Sequence, residues 1–131
     1  MQHKEEVRQW LVLADNDLAL AEHASKTMRP IPYEIVCFHC QQFAEKYLKA
    51  FLVSKGHEPP YIHDLVKLTT LCEIENSIFS EIKQKCIILT SYGVQPRYPG
   101  NMQIIEEDML RALHIVAEIK TFMLEKVPEL F

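Results

Sequence analysis

The segment over 33–55 constrains this chain most. Val36, Cys40, Phe43, Ala44, Tyr47, Leu48 and Phe51 recur there at three- and four-residue spacing, the period that lines one side of a helix with apolar side chains. His39, Gln42, Lys46 and Lys49 recur at the same spacing on another side. A helix that only packs onto a core needs the first stripe alone. The second combines an imidazole, an amide and two ammonium groups, and it has two readings: a ligand or partner surface, or an ordinary solvated helix face.

Four more apolar stripes follow the same rule. Val7, Leu11, Ala14, Leu18 and Ala21 mark a first helix, with Trp10 and Leu13 at its flanks. Leu65, Leu68 and Leu71 mark a short one. Ile78, Ile82, Cys86 and Leu89 mark another, and Ile105, Met109, Ala112, Val116, Ile119 and Met123 the last. In that last helix Glu107, Arg111, His114 and Glu118 are assigned to solvent.

Punctuation agrees with the stripes. Pro30 and Pro32 interrupt and restart helix, Gly56 ends one, Pro59-Pro60 holds the chain extended, and Gly93, Pro96 and Pro99 end another. Helices are predicted over 4–25, 33–55, 63–73, 77–92 and 105–126. The fold class expected is all-α: an antiparallel four-helix up-and-down bundle with an additional short helix, forming a single domain over 1–131.

Composition narrows the function. With 48% hydrophobic and 24% charged residues and a net charge of −4, the chain is an ordinary globular domain and no general nucleic-acid binder. RNA is not indicated, although a local positive groove is compatible with that balance. No segment approaches the roughly 20 apolar residues of a membrane span, and the start lacks the apolar run of a secretory signal. A cytoplasmic location is therefore expected, with Cys37, Cys40, Cys72 and Cys86 reduced. Cys37-x-His39-Cys40 suggests a metal, but His39 points well away from the side that the two cysteines share. No second pair with zinc spacing follows. Buried thiols are the better reading, and neither metal nor cofactor is expected.

Three motifs remain: the His39-x-x-Gln42-x-x-Glu45-Lys46-x-x-Lys49 helix, His63-Asp64-Leu65 after Pro59-Pro60, and Tyr92-x-x-x-x-Arg97-Tyr98-Pro99 in the longest connection. With the opening helix around Ala14-Asp15-Asn16-Asp17-Leu18 and a closing helix, their order resembles the HEPN family. These are small all-helical domains often found beside minimal nucleotidyltransferases. The resemblance covers nearly the whole chain. It implies a homodimer, a separately encoded minimal nucleotidyltransferase as partner, and a nucleotide ligand. In that scheme Lys46 and Arg97 contact phosphate, His39 and Gln42 hydrogen-bond base or ribose, Tyr98 stacks, and Lys49, His63 and Asp64 adjoin the site.

The residues themselves leave alternatives open. Asp64, or His63, suits a helix start, where it organises backbone N–H groups. Arg97 offers a planar fork of donors for phosphate or carboxylate; equally, it pairs with an acidic residue while Tyr92 and Tyr98 anchor the loop.

The chain departs from the family's toxins in one respect. They carry an Arg-x4–6-His pair that cleaves RNA without metal. After Arg97 this chain reads Tyr98-Pro99-Gly100-Asn101-Met102-Gln103, with no histidine at the interval. Arg111 and His114 stand too close together, and Arg29 and His39 too far apart. A phosphate-binding glycine loop and a G-x-S-x-G element are also missing. The expectation is a binding module without catalysis of its own; the alternative is a metal-independent RNase toxin with a divergent site. The dimer expectation also rests on Ile35, Phe38, Leu52 and Val53, apolar residues outside the main stripe of the second helix.

Overall fold

Each apolar stripe becomes a helix. A computed structural model describes residues 3–92 and 103–131. It shows α1 (Lys4–Thr27), α2 (Tyr33–Ser54), α3 (Leu65–Glu75), α4 (Lys83–Thr90) and α5 (Glu106–Lys126), with no strand among the described residues. A short 3₁₀ turn, Pro128–Leu130, follows α5.

Asp64 caps α3 as its sequence position suggests. Its carboxylate accepts from the backbone N–H groups of Val66 and Lys67 at 2.9 and 3.2 Å, which fill two of the helix's orphan donors. The helix consequently begins at Leu65, and His63 lies outside it. Gly56 takes φ +88°, the left-handed conformation suited to a helix stop.

The segment expected as one helix over 77–92 is in two parts. Ser77–Ile82 is 3₁₀, opened by the Asn76 side chain accepting from Ile78 N–H, and α4 continues from it. Phe79 and Ile82 are both buried, and three residues per turn stacks positions i and i+3 on one side. Ile105 also differs from expectation: it precedes α5 in extended backbone and is 54% exposed, so the core face of that helix starts at Met109. Asp108 accepts from the Ile105 backbone N–H at 3.0 Å and secures the start.

Helix α2 is the hub. Its whole predicted stripe is buried, and so are Leu52 and Val53. These two were expected on an outer surface; they belong to the core, because α2 is covered by α1, α3, α4 and α5 together. Ile35 and Phe38 stay 47% and 43% exposed. Phe43 stacks on Tyr47, and Phe51 meets Phe79, which meets Phe122. This aromatic chain ties α2 to the 3₁₀ turn and α5. All four cysteines are buried, and none forms a disulfide. Burial pushes three of the thiols up, Cys86 to about 11 and Cys40 and Cys72 further, so these three pack as small hydrophobes and form no reactive thiolate.

Contacts between α1 and α2 fix their direction. Trp10 lies by Lys49, Asp15 by Tyr47, and Asp17 by Lys46 and His39. Position rises along one helix as it falls along the other, so this pair runs in opposite directions. No described helix is long and apolar enough to cross a membrane.

Candidate functional site

Of the polar stripe of α2, His39, Lys46 and Lys49 are paired within the molecule. Asp17 is on the α1 face that meets α2 and is only 6% exposed. One of its oxygens accepts from His39 Nδ1 at 2.8 Å and the other from Lys46 Nζ at 2.5 Å. Burying a carboxylate costs several kcal/mol unless charge and hydrogen bonds compensate it, and here α2 supplies both. His39 and Lys46 keep only 23% and 21% of their side chains exposed. Phe38 packs edge-on against the His39 ring at 5.3 Å.

A second acid-centred cluster lies further along α2. Glu45, 5% exposed, accepts from Lys49 Nζ at 3.1 Å and from His63 Nδ1 at 3.0 and 3.2 Å. Lys49 is itself buried, with its ammonium 5.7 Å from the Trp10 ring centroid, a distance at which a cation is attracted to the indole face. His63 differs in being 76% exposed. Its Nδ1 is held by carboxylate, which leaves Nε2 as the second ring nitrogen on an accessible imidazole.

Tyr47 completes the α1–α2 seam by donating its hydroxyl to Asp15 at 3.0 Å. Burial first, then the Asp15 carboxylate, raise this phenol above its ordinary range and keep it a donor.

The residues singled out by sequence therefore fall into separate groups. His39 and Lys46 meet through Asp17, while Lys49 and His63 meet through Glu45. Gln42 is half-buried on α2, and Asp64 is engaged at the α3 start. Arg97 and Tyr98 lie outside the described residues. Asp17 and Glu45 are the residues that sequence reasoning did not assign a site role. Asp17 carried a signal: it is three residues after Ala14 and four before Ala21, at core spacing. Glu45 carried another, standing four residues before Lys49.

Chemically, each cluster holds a carboxylate between an ammonium and an imidazole. The ammonium groups of Lys46 and Lys49 are already neutralised within the molecule, which lowers their attraction for a phosphate. Donors left over on Lys46 and the second ring nitrogen of His39 suit uncharged acceptors and donors better. Among the described residues, no group of three or more His, Cys, Asp or Glu side chains is placed to hold a metal ion.

Comparison with curated proteins and with solved structures gives no significant match. The family model of the HEPN domain, however, matches residues 7–127, nearly the whole chain from within α1 to the end of α5, and on that match the protein belongs to the HEPN family.

Proposed function

We propose that this chain is a nucleotide-related HEPN binding module: one domain built as an antiparallel four-helix bundle around α2, homodimeric, cytoplasmic, and working with a separately encoded minimal nucleotidyltransferase rather than cleaving RNA itself. The observation that carries this reading is the family match over 7–127 in a chain without the Arg-x4–6-His pair. The internal pairing of Lys46 and Lys49 moves the weight of the phosphate contact toward Arg97, with Tyr98 stacking on the base. Gln42, His39 and Lys46 then contribute hydrogen bonds from the edge of α2, while Asp64 holds α3 and the approach of His63 in place.

Calorimetry with purified protein tests the ligand. Arg97→Ala is expected to weaken nucleotide binding roughly ten- to hundredfold, the loss of one charge-assisted contact, with helical content unchanged by circular dichroism. No binding to the wild type removes this half of the proposal. Co-purification with a nucleotidyltransferase encoded next to it tests the partner.

The second reading, a metal-independent RNase with a divergent site, is favoured by the Glu45–His63 geometry. A buried carboxylate on Nδ1 fixes the tautomer of an exposed imidazole, an arrangement suited to proton transfer. Incubation with RNA separates the readings. Degradation that vanishes in both Arg97→Ala and His63→Ala proteins establishes the RNase; equal, background-level degradation in all three supports the binding module.

A further inference from the structure

The six histidines of the chain are not equivalent as nucleophiles. A ring nitrogen reacts through its lone pair, which it keeps when the proton is fixed on the other nitrogen. His39 has its Nδ1 held by Asp17, but its side chain is only 23% exposed. His57 and His114 engage carboxylates through Nε2, the outer nitrogen, at 2.5 and 3.4 Å. His3 and His23 have no carboxylate partner among the described residues. His63 alone meets both requirements. Its Nδ1 donates to the two oxygens of Glu45, a buried carboxylate, while its side chain stays 76% exposed. The lone pair is thereby assigned to Nε2, on a ring open to solvent.

We infer that Nε2 of His63 is an acceptor for a phosphoryl group. The inference goes beyond both readings above and holds whether or not the chain binds nucleotide or cleaves RNA. The donor class is a small activated phosphate, a phosphoramidate or an acyl phosphate. The Nε2 lone pair forms the P–N bond while the bond from phosphorus to the leaving group breaks, and ammonia or a carboxylate departs with that electron pair. Nothing is oxidised or reduced, and the Nδ1 proton stays between the ring and Glu45. The ring gains a positive charge, which the Glu45 oxygens at 3.0 and 3.2 Å compensate. The phosphoryl oxygens remain in water, so no anion is buried. Neighbouring carboxylates are already balanced: Lys49 pairs with Glu45, and backbone N–H groups of α3 engage Asp64. Exposure also selects the group. A ring this open cannot exclude water from an acylimidazole, which hydrolyses readily, whereas a phosphoryl group on Nε2 persists.

Phosphoramidate at neutral pH is the probe, applied to wild type, His63→Ala and His57→Ala proteins. Adducts are mapped by mass spectrometry under alkaline conditions, where phosphohistidine survives, and the ring nitrogen is identified by nuclear magnetic resonance. In the folded wild type, His63 is expected to react roughly tenfold faster than any other histidine, at Nε2 alone. His57→Ala should keep this fast adduct and His63→Ala should lose it. In urea, where Glu45 no longer meets the ring, the advantage should vanish and both ring nitrogens should react. A folded wild type in which His63 reacts no faster than His23 overturns the inference. So does an Nδ1 adduct on His63, because the carboxylate would then not hold that nitrogen. An advantage that survives in urea overturns it as well, since the fold would not be its cause. Mapping of the wild type decides the matter even if a variant fails to fold.

Discussion

The two acid-centred clusters contain the same three kinds of group yet differ in what they join. At Asp17 the partners come from a different helix, 22 and 29 residues away. Both partners are largely covered, and the cluster fixes the sliding position of α1 along α2. At Glu45 the ammonium comes from the next turn of the same helix and is buried, while the imidazole comes from the α2–α3 connection and faces water. One cluster sets the register of two helices; the other hides a local pair and tethers a loop. Burial of the partner, not the number of bonds, determines how much each acid matters.

Removing the better-buried acid is expected to cost most. Glu45→Ala leaves Lys49 charged and 5% exposed, and stranding a buried charge costs about 3–5 kcal/mol. Urea unfolding followed by circular dichroism measures it. A loss below that of Asp17→Asn would break the comparison. Asp17→Asn keeps the size of the side chain and removes its charge, but Lys46 retains access to water, so a smaller loss of about 2 kcal/mol is expected. A double-mutant cycle with Lys46→Met sharpens this: a coupling energy near zero would show that the ion pair does not hold the register.

His63→Ala should do least to stability, roughly 0.5 kcal/mol, because a contact with a mostly exposed partner is weak. A loss above about 2 kcal/mol would show that the loop tether is part of the core.

An alkaline limit follows from the buried thiols. Burial raises Cys86 from an ordinary value of 9.0 to about 11 and moves Cys40 and Cys72 in the same direction. The unfolded chain therefore loses these protons first. The stability they contribute is complete below pH 9 and declines as pH rises toward 11 and beyond. A set of unfolding curves between pH 8 and 11 checks the sign; constant stability across that window would contradict it.

The helices and their order were legible because apolar periodicity and proline positions are local signals. The Asp64 cap was legible for the same reason. Asp17 was not, because its role depends on α2, which lies elsewhere in the sequence. Its neighbour Leu18 fits the apolar stripe on paper yet is only half-buried, while the carboxylate turns inward to two cations. Leu52 and Val53 misled for a related reason: a one-sided stripe describes a helix at a surface, and α2 is surrounded. The 3₁₀ start before α4 escaped as well, since spacing of three and four fits either helix type over one turn. Side chains of the candidate site were thus nameable from sequence, but their internal partners were not.

Trp10 is the chain's one tryptophan, and the ammonium of Lys49 lies over its ring. A cation fixed against an indole alters the electric field that sets its emission, so the molecule contains its own optical probe of the Glu45 pair. Fluorescence of Trp10 would report the loosening of that pair in an unlabelled protein.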